Sequence, residues 1–93
     1  MTSRADRIRT ALETAFAPAR VTVADDSHRH AGHAGARPEG ETHYTVAVIS
    51  PTFAGQSRVA RSRAVHAAVA AEFGTGLHAL SLQLATPEEA SAR

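Results

Sequence analysis

The hydrophobic periods of the chain predict a two-layer α/β (α+β) fold. The order is α-β-β-α-β, with a three-stranded mixed sheet carrying helices on one face. Two segments repeat their apolar residues at helical spacing and three alternate them at strand spacing. The third observation is the size of the core the chain can build. Of its 93 residues 43% are hydrophobic, but 21 of those are Ala, leaving 19 larger side chains to pack. Chains of this length bury only about 60–65% of their unfolded surface, so a single layer pair is what the sequence can sustain. One domain over residues 1–93 is expected, with its core at about 4–87 and a short tail at 88–93.

Ile8, Leu12 and Phe16 stand at i, i+4 and i+8, which makes a helix from about Ser3 to Phe16. Ser3 with Asp6 three residues on is a capping signal, and Pro18 closes the segment. Val21 and Val23 share a face in a short strand, Arg20 to Ala24. Asp25 to Glu41 has no period and contains Gly32, Gly35, Gly40 and Pro38. The segment, with the loop itself at 26–41, is longer than most connections, and loops of that length are commonly functional or disordered. A second strand spans Thr42 to Ser50, with Tyr44, Val46 and Val48 on the covered face and His43, Thr45 and Ala47 on the other.

Ser57 caps a second helix, Arg58 to Phe73, whose stripe runs through Val59, Val65, Val69 and Phe73 with Ser62 and His66 inside it. Gly74 and Gly76 end it. The last strand is Leu77 to Leu84, where His78, Leu80, Leu82 and Leu84 share parity. Thr86-Pro87-Glu88-Glu89 reads as a helix start with too little chain left to continue. The first two strands are expected to pair antiparallel, and the crossover helix to bring the third in parallel.

Several function classes are excluded by composition. Zero Cys rules out disulfides, thiolate zinc sites, a Cys nucleophile and an iron–sulfur cluster held by this chain alone. No apolar run approaches the roughly 20 residues of a membrane span, and no signal-peptide pattern opens the chain, so a cytoplasmic location is expected. Ten Arg against nine acids give a net charge of +1, too balanced to point to nucleic acid by itself. Asp25-Asp26 is a carboxylate pair on an extended chain, where adjacent side chains point apart. Ser50, Ser57 and Ser81 lie in no nucleophile-elbow pattern, and no phosphate-binding glycine loop is present. Nothing argues for an enzyme.

Six histidines carry most of the chemical content. His28, His30 and His33 crowd into the Gly-rich loop, where they are either solvated or able to converge on one ion, imidazole being the commonest metal ligand. His78 at the start of the last strand is either a ligand or a half-buried residue at the sheet's edge; His66 reads as a satisfied core histidine. Arg58, Arg61 and Arg63 suggest a recognition helix, but Arg61 and Arg63 sit about 160° apart on the wheel. Their blander reading is that the stems flank the buried stripe and the heads stay in water.

Four motifs in order resemble the BolA family: Asp25-Asp26-Ser27-His28-Arg29-His30, Glu41-Thr42-His43-Tyr44, Phe53 through Arg63, and Leu77-His78-Ala79-Leu80. The resemblance covers roughly Ile8 to Pro87 and implies a fold similar to the type II KH module. It also implies a non-enzymatic adaptor that forms a heterodimer with a monothiol glutaredoxin in iron–sulfur and iron homeostasis. The two proteins would share a bridged [2Fe-2S] cluster, with thiolates from the glutaredoxin and glutathione and nitrogen from this chain, as in Rieske-type centres. His78 carries over as the strand ligand. The loop ligand carries over to His30 when counted forward from Asp26-Ser27 and to His33 when counted back from Glu41, in that rank, with His28 behind.

The isolated chain is then expected as a monomer without a cluster. A second implication is a DNA-binding regulator of the stress-response type, using Arg58, Arg61 and Arg63. Against that alternative, Gly55-Gln56-Ser57-Arg58 keeps only the first glycine of the G-x-x-G clamp. Two departures from the family pattern stand beside it: Ser62 where the family usually has His between two Arg, which removes the side chain that any role at position 62 would carry over from, and His66 where many members have Tyr.

Overall fold

The computed structural model describes residues 3–25 and 43–92. Helix α1 (Arg4–Ala15) is followed by strands β1 (Arg20–Asp25) and β2 (His43–Ile49), then a 3-10 turn at Pro51–Phe53. Helices α2 (Arg58–Ala68) and α3 (Ala70–Phe73), strand β3 (Ala79–Ala85) and helix α4 (Pro87–Ser91) complete the chain. The strands lie in the order β1-β2-β3, β1 antiparallel and β3 parallel to the central β2. The α+β class and the pairing follow the expectation; the stretch expected as the long loop, 26–41, lies outside the described residues.

Register explains the single covered face. Val21 pairs with Val48 and Val23 with Val46, while Tyr44, Val46 and Val48 stand opposite Leu80, Leu82 and Leu84. The strand period of two puts all of these on one side. Ile8 and Leu12 of α1, Phe16 at its C-terminal cap, and Val65 and Val69 from the second helical segment close over them, with Phe53 packed on Phe16 at a centroid separation of 5.1 Å. The opposite face of the sheet carries Thr22, Thr45, Ala47, Ala79, Ser81 and Gln83, small or polar side chains that build no second core.

Helix ends are chemically marked. Ser3 and Asp6 form a reciprocal capping box on α1, and Thr86 and Glu89 form another on α4. The expected stub after Thr86 is therefore a five-residue helix. Pro at its first position and the box satisfy the orphan donors a short helix would otherwise expose.

The second helix is not continuous from Arg58 to Phe73. Val69 adopts φ −115°, ψ 19°, outside the helical region, so α2 stops at Ala68 and α3 restarts at Ala70. The break keeps Val69 in the core and re-aims the last turn, so that Glu72 meets Arg4 and Arg7 of α1 at 2.8 and 3.0 Å. Val59, expected in the buried stripe, is 58% exposed. His66, expected in the core, is exposed and stacks on Phe73 at 5.4 Å. Both positions precede the break: the buried face of α2 runs through Arg61, Ala64, Val65 and Ala68, which a stripe drawn from Val59 to Phe73 misses. The last strand starts at Ala79 rather than Leu77, because Leu77 turns into the core while His78 turns out.

Candidate functional site

Two histidines meet at the corner where β2 and β3 both begin. His43 opens β2 and is paired in register with Ala79, the residue after His78. The two rings are 5.9 Å apart between centroids, edge to face at 75°. His43 is half-buried and His78 exposed. The backbone of His78 is held from both sides. Leu77 is 3% exposed in the core, its N–H donates to the Glu72 carbonyl at 3.0 Å, and Ala79 enters the sheet. Gly76, at φ 120°, makes the turn into this segment. A ring that faces solvent on a fixed backbone is suited to donate nitrogen to an incoming ligand.

His78 is exposed rather than half-buried and lies before the first residue of β3, so its parity with Leu80, Leu82 and Leu84 does not place it in the sheet. His30, His33 and His28 lie outside the described residues. Among the described residues no three His, Cys, Asp or Glu side chains come together as a metal cage. His43 is the neighbour that the sequence reading passed over. Its signal was present: it heads the alternation of β2 on the face away from the core.

The three arginines do not form one surface. Arg58 and Arg63 are exposed, but Arg61 is 8% exposed, so its head does not stay in water as the blander reading expected. Its guanidinium forks onto Glu89, Nη1 to Oε1 at 2.6 Å and Nη2 to Oε2 at 3.1 Å. Nε donates to the Gln56 carbonyl at 3.0 Å and Nη1 to the Leu84 carbonyl at 3.4 Å. The guanidinium also lies 5.7 Å from the Phe53 ring centroid. The Glu89 carboxyl is held down to about 2, first by Arg61 and then by the Thr86 N–H. The sign of this pair was legible in Thr86-Pro87-Glu88-Glu89, where the capping glutamate also had a free oxygen to offer.

Ser50, set aside as a nucleophile, is fully buried and structural. Its Oγ donates to the Phe16 carbonyl at 2.7 Å and accepts from the Thr52 N–H at 3.1 Å. A hydroxyl has one proton, so Thr52 Oγ1, 2.8 Å away, must be the donor to Ser50. The Ser50 N–H reaches the Ala85 carbonyl at 2.9 Å, tying the end of β2 to the end of β3.

Comparison with known proteins bears on the family and the fold. Residues 12–89 match the BolA-like protein family. Chloroplastic BOLA1 of Arabidopsis thaliana is 40% identical over 93 residues, covering 98% of this chain and 58% of that protein. The UV-induced protein uvi31 of Schizosaccharomyces pombe is 40% identical over 95% of this chain and 90% of its own length. The solved BolA domain of SufE1 from Arabidopsis thaliana superposes with a TM-score of 0.84 at 40% identity, over 96% of this chain and 98% of that one. The chain therefore spans about three-fifths of the length of the chloroplastic relative. No helix among the described residues is long and apolar enough to cross a membrane. Sheet order, the matched span from α1 into α4, and identity along nearly the whole chain lead to one conclusion: this chain belongs to the BolA family.

Proposed function

We propose that this chain is a non-enzymatic adaptor that binds a monothiol glutaredoxin and helps hold a [2Fe-2S] cluster as shared cargo. The observation that carries the reading is the exposed His78 ring on an anchored backbone, with His43 packed edge-on beside it. The donor set suits this role. The sequence offers imidazoles and no thiolate, so it can ligate one iron of a cluster whose remaining ligands come from elsewhere. His78 is the first ligand, and the second comes from His30 or His33, ranked in that order. His43 acts as a positioning residue, limiting the orientations the His78 ring can take. The glutaredoxin and glutathione supply the thiolates. An iron–sulfur cluster held in this way provides transferable iron and sulfide.

The test is co-expression with the monothiol glutaredoxin of the same genome, followed by size-exclusion chromatography and visible absorption. A coloured one-to-one complex is expected, and a colourless isolated chain. A glutaredoxin that keeps its own spectrum and elutes apart from this chain would overturn the reading. For the alternative of a DNA-binding regulator, Arg61 is no longer available, since it is committed to Glu89.

A further inference from the structure

Strand β3 leaves one edge without a partner among the described residues. Which main-chain groups face that edge follows from three contacts. The Ala85 carbonyl accepts from Ser50, at the end of β2, so Ala85 faces inward. Alternate residues of an extended strand direct their main-chain groups to opposite sides. Leu84 accordingly faces outward, where its carbonyl accepts from Arg61, and the Thr86 N–H, also outward, donates to Glu89 at 2.9 Å. By the same alternation the N–H and C=O groups of Leu80 and Leu82, and the Leu84 N–H, face the free edge. The Arg61–Glu89 pair closes one end of that edge and leaves the rest open.

Native edges are commonly protected by charge, proline or a bulge. β1 begins with Arg20 and ends with Asp25, whereas β3, Ala79–Ala85, has neither a charge nor a proline. Beside it lies a groove of about 640 Å³ between α2 and the strand, lined by Gln56, Arg58, Ser62 and Gln83. Arg61 is neutralised by Glu89, but Arg58 is exposed and pairs with no carboxylate among the described residues. Among the described residues the groove therefore holds one uncancelled positive charge next to a row of unpaired amide donors and acceptors.

We propose that the β3 edge receives an extended segment of a partner protein as a fourth strand, with a carboxylate of that segment held by Arg58. Main-chain pairing supplies the contact and the arginine supplies the polarity, as in strand addition generally. A second copy of β3 fits less well, because Ala79–Ala85 contains no acid to meet Arg58. Nucleic acid fits less well too. A phosphate backbone offers acceptors but no donors for the Leu80 and Leu82 carbonyls, and the Glu89 carboxylate lines the same groove. The proposal does not rest on the cluster reading and is tested on the iron-free chain alone.

The experiment screens two synthetic arrays of random octapeptides, one with free and one with amidated C-termini, then titrates the enriched peptides into the ¹⁵N-labelled chain. Enriched peptides should carry a side-chain or terminal carboxylate and shift the Leu80, Leu82 and Leu84 amides most. N-methylation of alternate peptide amides should abolish binding. Arg58→Glu should weaken it about tenfold or more, given the strength of a charge-assisted contact. Arg58→Gln serves as the second variant if circular dichroism finds the first misfolded. No enrichment, enrichment without carboxylates, or shifts centred elsewhere would overturn the proposal. So would edge shifts that grow with protein concentration alone, which assign the edge to a second copy. Shifts of the same amides by a DNA oligonucleotide at lower concentration than any peptide would assign it to nucleic acid.

Discussion

Ser50 and Glu89 do structural work through polar contacts that cost most when only one partner is removed. Ser50→Ala would orphan the Phe16 carbonyl where water has little access and release the Thr52 N–H at its edge. A loss of about 1–3 kcal/mol is expected, read from urea denaturation. Glu89 gives a pH signature instead. Its carboxyl sits near 2 in the folded chain against an ordinary 4.5, because Arg61 and the Thr86 N–H stabilise the charged form. A depressed folded value means the stabilisation is present above the ordinary value and drains away as pH falls toward about 2. Glu72 is lowered as well, chiefly by Arg7, and adds to the loss in the same direction. Glu89→Gln can still accept from Thr86, so it removes the charge while keeping the cap. The variant should be less stable than the wild-type chain near neutral pH, with the two denaturation curves converging as pH is lowered through about 4 to 2. Parallel curves at all pH values would mean that the ion pair contributes nothing.

At the scale of elements, the contrast between α1 and α2 separates what periodicity could report from what it could not. α1 is a single straight stretch with a capping box, so Ile8, Leu12 and Phe16 fall where their spacing put them. Strand parity in β2 was equally legible, since Tyr44, Val46 and Val48 alternate cleanly with smaller residues. α2 failed the same treatment because Arg61, Ala64 and Ala68 flank Val65 on its buried face, and a count of large apolar residues passes them over; the break at Val69 is a further tertiary choice that brings Glu72 to Arg4 and Arg7. The candidate site was half legible for a related reason. His78 was found by its motif, but its pairing with His43 depends on the register of β2 against β3, which no local pattern encodes. Paired substitutions test the division. Leu12→Ala, at a fully buried position, should cost about 2–5 kcal/mol through lost burial and a residual cavity. Val59→Ala, at a position 58% exposed, should stay within about 0.5 kcal/mol. Equal losses would return Val59 to the core stripe.

Across the whole molecule, stability and chemistry occupy different places. The core lies between the helices and the Tyr44-Val46-Val48 face, whereas the histidine corner stands where β2 and β3 begin. His78→Ala removes an exposed ring, and Leu77 on one side and Ala79 on the other still hold the backbone. No large void forms, so the melting temperature of the free chain should move by less than about 4 °C. The shared cluster should respond strongly, because a ligand on a rigid element is pre-placed. His30 and His33 lie close together in sequence and can substitute for each other in part, so either single Ala change should alter the visible and circular dichroism spectra of the glutaredoxin complex less. His43→Ala should fall between these cases, preserving the complex but shifting its dichroism as the His78 ring gains freedom. The measurement is the spectrum of each variant complex beside the thermal melt of each free variant. If His78→Ala kept the wild-type spectrum, or if it melted the free chain as Leu12→Ala does, His78 would be a structural residue and the ligand would have to be sought elsewhere.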